Sequence, residues 1–139
     1  DIVTQMLIDD CNNGGSKSCE RLGYIEKKKG KLEDALMYFK LAQKLGLINT
    51  QIEQAKIYCM LSLNEFDNKF NLLNLDTCME RLQKAYELDS VTTKEQLKGY
   101  SWGEIEDWVS YMLSHETNTT EEFNERYKKY KELFENIHS

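Results

Sequence analysis

Leu32, Ala35, Leu36, Phe39, Ala42 and Leu45 recur at steps of three and four. That spacing gathers apolar side chains on one face of a helix, and it predicts a helix over about 31–45. Gly46 supplies the left-handed residue at its C-terminal end. The segment before it, about 16–29, carries Leu22 and Ile25 inward and stops at Gly30. Further upstream, Ile2, Met6 and Leu7, with Cys11, mark one face of a helix over about 2–12. Asn12-Asn13-Gly14-Gly15-Ser16 breaks it. A fourth helix is predicted from near Thr50 through Ile52, Ala55, Ile57, Tyr58, Met60 and Leu61. Residues 64–74 read as a long connection or a frayed extension. A fifth helix covers about 75–89, through Cys78, Met79, Leu82, Ala85, Tyr86 and Leu88.

The last third opens on three capping boxes, in which a hydroxyl and a carboxylate three residues apart take two orphan N–H groups. Thr92 with Glu95 starts a short helix ending at Gly99. Ser101 with Glu104 opens a helix to about 116, with Trp102, Ile105, Val109, Met112 and Leu113 as its stripe. Thr119 with Glu122 opens the last helix, to about 137, where Phe123, Tyr127, Tyr130, Phe134 and Ile137 form a coiled-coil-like seam. These two helices are expected to pair as an antiparallel hairpin. With no Pro and only three Val in 139 residues, strand signals are missing and the chain reads as all-α. Its length fits one domain, 1–139.

A shift of 32 residues overlays parts of the chain. Gly14 falls on Gly46, Gly23 on Ala55, Ile25 on Ile57, and Cys11 and Cys19 fall on Gln43 and Gln51. A fixed period of this size marks a helical repeat array. Gly23 needs a reason, because a glycine inside a helix costs about 1 kcal/mol relative to Ala. The reason expected is a second helix lying against it.

Residues 16–49 resemble a tetratricopeptide repeat. Leu22-Gly23 in the first helix, and Ala35, Phe39 and Ala42 in the second, stand at that family's spacing. Glu26 stands where an aromatic is usual, and Leu47 where a Pro usually ends the unit. Residues 50–90 then form a lengthened second unit, with Ala55 and Tyr58 in place and a longer connection over 61–74. Residues 91–139 are a diverged unit or a capping hairpin. The resemblance implies a short α-solenoid of antiparallel helix hairpins with a C-terminal helical hairpin. It also implies a groove lined by the first helix of each unit, facing a peptide or a helix of a partner. Carried onto this chain, the groove residues are Lys17, Glu20, Tyr24 and Lys27, with Gln54 and Lys56 from the second unit. Tyr24, an aromatic flanked by charges, is the leading hot-spot candidate.

The stretch from Cys11 to Gly23 resembles the junction between units in the Sel-like relatives. In that branch a cysteine in each first helix pairs with one in the following helix. For Cys19 such a partner would stand near Gln43, which is not a cysteine. Cys11 and Cys19 either bond across the glycine turn or remain two thiols. Cys59 and Cys78, inside apolar helical patterns, read as buried free thiols. Reduced cysteines fit a cytoplasmic protein, and a Cys11–Cys19 bond fits a periplasmic or secreted one.

Composition narrows the function classes. The net charge of −6 argues against nucleic acid as partner, and no apolar run is long enough to insert in a membrane. Cysteine and histidine spacings match no metal site. Glu104, Glu106 and Asp107 beside the tryptophans read as a helix first turn, not as a catalytic pair. No cofactor motif or catalytic constellation is recognised. The expectation is a non-enzymatic interaction module for a protein or peptide. The alternative is a small acidic immunity-type protein that plugs the site of a toxin or enzyme. A third reading is a redox-sensitive or metal-linked dimer through Cys11 or Cys19. Oligomeric state is not legible in the chain.

Overall fold

The computed structural model describes residues 1–47, 50–64, 69–70, 72–100, 106–107 and 121–139; side chains are described outside 63–64, 69–70, 72 and 122–124. Apart from the turns between elements and one short strand pair, these residues are helical. The helices are α1 (Ile2–Asn12), α2 (Ser16–Lys28), α3 (Leu32–Lys44), α4 (Thr50–Ser62), α5 (Leu72–Leu88), α6 (Ser90–Leu97) and α7 (Glu121–Ile137). The strands β1 (Leu63–Asn64) and β2 (Lys69–Phe70) pair antiparallel, with Leu63 opposite Phe70 and Asn64 opposite Lys69. The sequence reading left this stretch as a connection. A strand pair this short carries no alternating pattern to detect.

The first three turns are built alike. Gly14, Gly30 and Gly46 all have positive φ, at 97°, 80° and 110°, where an L side chain would be strained. After each glycine the next N–H reaches back to the helix: Gly15 to Asp10, Lys31 to Glu26 and Leu47 to Ala42. These are Schellman closures, which satisfy carbonyls that the helix end leaves open. The three glycines lie sixteen residues apart, so one helix and its turn occupy sixteen residues each time. Neighbours in sequence are therefore neighbours in space: α1 packs on α2, α2 on α3 and α3 on α4.

By packing, the chain forms two compact units, Asp1–Ala85 and Tyr86–Ser139. In the first, Cys11, Cys19, Leu22 and Ala42 make one core cluster, with Leu7, Ile8, Tyr38 and Leu47 against it. Ala35, Leu36, Phe39 and Ile57 make another. Gly23 is buried in α2 because Phe39 takes the space a side chain would need. A Cβ at residue 23 would stand 2.7–2.8 Å from three atoms of that ring. The helix gives up propensity at one residue and seats a phenyl ring in return.

All four cysteines are bonded. Cys11–Cys19 ties α1 to α2, with Cα atoms 4.9 Å apart. Cys59–Cys78 ties α4 to α5, with Cα atoms 5.3 Å apart. The free-thiol reading of Cys59 and Cys78 is thus corrected. The apolar pattern around each is real, but a buried cysteine on each of two packed helices is also what a buried disulfide requires.

Two further expectations change. On α1, Ile2 and Met6 are exposed, and only Leu7, Ile8 and Cys11 turn inward. The short helix α6 is capped by Asp89, not by Thr92. The Asp89 carboxylate accepts the Thr92 N–H at 2.9 Å and its hydroxyl at 2.6 Å. Those bonds hold the exposed carboxyl below its usual pKa, the Thr92 hydroxyl contributing most. In the second unit, Tyr127, Leu133, Phe134 and Ile137 of α7 are buried, as are Thr93 and Leu97 of α6. His138 pairs with Glu106 at 3.5 Å. Trp102, Ile105, Val109, Met112 and Leu113, the Ser101–Glu104 and Thr119–Glu122 boxes and the Phe123 side chain lie outside the described residues.

Candidate partner-binding surface

Lys17, Glu20, Tyr24 and Lys27 follow steps of three, four and three along α2, so one face of the helix carries them all. Lys17 is exposed, and Glu20 and Lys27 are partly covered. Tyr24 keeps 46% of its surface exposed. Its ring packs edge-on against Phe39, with centroids 5.1 Å apart and planes at 81°, an arrangement that aromatic quadrupoles favour. The ring is therefore anchored below and open above.

The neighbouring helix α4 adds a residue that sequence reasoning missed. Glu53 is buried at 8% exposure, and it holds two lysines. Its Oε2 lies 3.2 Å from Lys27 Nζ, and its Oε1 lies 3.1 Å from Lys56 Nζ. Burial pushes the Glu53 carboxyl up, but the Lys56 and Lys27 charges and hydrogen bonds outweigh it and hold the pKa below the usual value. Tyr24 responds in the opposite sense. Partial burial, then the negative fields of Glu53 and Glu20, push its phenol up to about 12. The Glu53–Lys56 spacing of three was a legible helix pair. The link to Lys27 on another helix was not, because only packing brings α2 and α4 together.

Gln54 stands apart from this surface. It is fully buried, and its Nε2 donates to Gln43 Oε1 at 2.7 Å and to the Phe39 carbonyl at 3.4 Å. Successive residues on a helix point about 100° apart. With Glu53 and Lys56 turned toward α2, Gln54 turns toward α3. It is a link between helices and does not line a groove. The other five residues expected at the site are gathered on or beside one mixed-charge face around Tyr24.

A second cluster occurs where α3, α4 and α5 meet. Lys40 Nζ lies 5.4 Å from the centre of the Tyr58 ring, and the Arg81 guanidinium carbon 5.2 Å from it. Partial burial raises the Tyr58 phenol, yet the two cations at its hydroxyl bring the pKa below the usual value.

Cys11 and Cys19 are both buried and bonded to each other, so neither is a free thiol for a metal or an intermolecular bond. Among the described residues, no three His, Cys, Asp or Glu side chains are grouped to hold a metal ion. Among them, no helix is long and apolar enough to cross a membrane. Compared with family models, curated proteins and solved structures, the chain matches none.

Proposed function

We propose that this chain is a short α-solenoid serving as a non-enzymatic interaction module, which binds a peptide or helix of a partner protein on the face of α2 and α4. The observation that carries the reading is Tyr24, anchored on Phe39 and left nearly half exposed amid Lys17, Glu20, Lys27 and Lys56. A rigid aromatic with its rotamer already fixed loses little freedom on binding, which is what makes such residues hot spots. The sixteen-residue recurrence of turn glycines supports the stacked-hairpin reading. So does the Cys59–Cys78 bond, which links a first helix to the one that follows it, the pairing that the Sel-like resemblance implies. Two buried disulfides favour an oxidising compartment, periplasmic or secreted. The mixed polarity around Tyr24 favours peptide binding over an acidic plug for a toxin or enzyme.

Selection of a random peptide library against the oxidised protein tests this. Enriched peptides should bind Tyr24→Ala about tenfold or more weakly than wild type, and Lys17→Glu should also weaken them. Circular dichroism confirms that both variants fold. Peptides that bind all three proteins equally would remove the α2 face from consideration.

A further inference from the structure

The outer face of α3 has a character that the α2 face lacks. Met37 and Leu41 are exposed, at 48% and 37%. With Leu36, Lys40, Lys44 and Glu33 they line a shallow hollow of about 360 Å³. At its border, Lys40 and Arg81 converge on Tyr58 from two helices. Neither cation is paired with a described carboxylate. The Arg81 Nε is buried with no acceptor. In a chain of net charge −6, two cations that share the Tyr58 hydroxyl and meet no described carboxylate stand out. Elsewhere in the same unit, Lys27 and Lys56 share Glu53.

We propose that this face is a docking surface for an acidic amphipathic helix of a partner protein. The partner's apolar side chains lie over Leu36, Met37 and Leu41, and a carboxylate enters between Lys40 and Arg81. Three features of the face select that occupant. Exposed apolar side chains in consecutive turns fit the apolar stripe of another helix. Met adapts its shape to such a stripe. Charge-assisted bonds from Lys and Arg to a carboxylate are among the stronger polar contacts, and among the described residues no carboxylate is paired with Lys40 or Arg81. The surface is separate from Tyr24 and does not depend on the α2 reading.

The test uses a short synthetic helix of Leu, Ala and Glu, acetylated and amidated, with Leu along one face. A second version replaces every Glu by Lys. Binding is read by fluorescence anisotropy and by NMR shift mapping on the full chain. The acidic peptide should bind and move the Met37, Leu41 and Tyr58 signals. Lys40→Gln and Arg81→Gln should each weaken it about tenfold, and Met37→Glu should weaken it as well. Lys40 and Met37 are exposed, so their variants keep the test alive if Arg81→Gln misfolds. Lys128→Gln, an exposed lysine of α7, should leave binding unchanged. A peptide that binds through Tyr24 should not compete. Equal binding of the basic peptide, unchanged affinity in Lys40→Gln and Met37→Glu, or shifts mapping elsewhere would each overturn the proposal. So would inorganic phosphate reproducing the shifts while the peptide does not. Self-association that Met37→Glu abolishes would give the face to a second copy of this chain and overturn the assignment to a foreign partner.

Discussion

Gly23→Ala sets two known effects against each other, and the structure says which wins. In an ordinary helix interior the change gains about 1 kcal/mol of propensity. Here the new methyl would stand 2.7–2.8 Å from Cε1, Cδ1 and Cζ of Phe39, well inside contact distance. The ring cannot simply swing away, because Phe39 is fully buried and Tyr24 packs edge-on against it. Overpacking of this kind costs about 1–3 kcal/mol. Subtracting the propensity gain leaves a loss of about 1 kcal/mol, the cost running from near zero to about 2. For a unit of this size that lowers the melting midpoint by about 4–8 °C per kcal/mol. The assay is urea and thermal unfolding of four proteins: wild type, Gly23→Ala, Phe39→Leu and the double variant. If the ring is the obstacle, shortening it relieves the methyl, and the double variant is more stable than the sum of the singles by about 1 kcal/mol. Gly23→Ala that raises stability by the full propensity gain, with no coupling to residue 39, would refute the reasoning.

Replacing Cys59 and Cys78 together by Ala should cost about 3 kcal/mol and replacing Cys11 and Cys19 about 2.5, since the longer loop loses more chain entropy; unfolding in urea ranks them, and the reverse order would contradict it. Tyr24 should ionise near pH 12, seen as the difference in ultraviolet titration between wild type and Tyr24→Phe; because its pKa is raised on folding, its contribution is intact below the ordinary value of 10.0 and is lost as the pH climbs through about 12. Glu53 has the opposite sign: its carboxyl is held low, so its stabilisation is present above the ordinary 4.5 and fades as the pH falls through the folded value. Glu53→Gln should flatten that acid limb and cost about 2 kcal/mol at neutral pH, less than the loss of a fully buried pair because water reaches Lys27 and screens its charge, and an unchanged acid limb would show that the two lysines do not act through this carboxylate.

The helices were legible where period and punctuation agreed. Around α2 and α3, apolar steps of three and four end on glycines that only a left-handed turn requires, so boundaries and pairing come from the chain directly. On α1 the same period misleads about the direction of burial. Ile2 and Met6 are apolar and helical in spacing, yet only the turn containing Leu7, Ile8 and Cys11 meets α2. Periodicity reports that a face exists; contact with another element decides which face is covered. At the candidate site, Tyr24, Lys27 and Lys56 were legible as surface residues of helices. Glu53 was not, because its importance comes from two lysines on different turns and different helices converging on one carboxylate. The Lys40–Tyr58–Arg81 cluster joins three helices and has no local signature at all.

The cysteines show how far a repeat argument reaches. Shifted by 32 residues, Cys11 and Cys19 fall on Gln43 and Gln51, so the α1–α2 junction has a covalent bond where the α3–α4 junction cannot. The structure fills that second junction with amides: Gln43 accepts from Gln54, which also reaches the Phe39 carbonyl, and Gln51 is buried beside them in sequence. Backbone geometry recurs at both places, through Gly14 and Gly46 and their matching closures, while the side-chain chemistry that fastens them differs. The next turn of the period would fall at Ser62, and there the pattern ends. Ser62 is buried with its hydroxyl donating to the Cys59 carbonyl at 2.6 Å, and the chain leaves α4 into β1 instead of a glycine turn. Without the Schellman closure to set the next helix, α4 and α5 are held together by Cys59–Cys78 across that insertion. The second disulfide therefore stands at the α4–α5 junction, where the sixteen-residue spacing of turn glycines lapses.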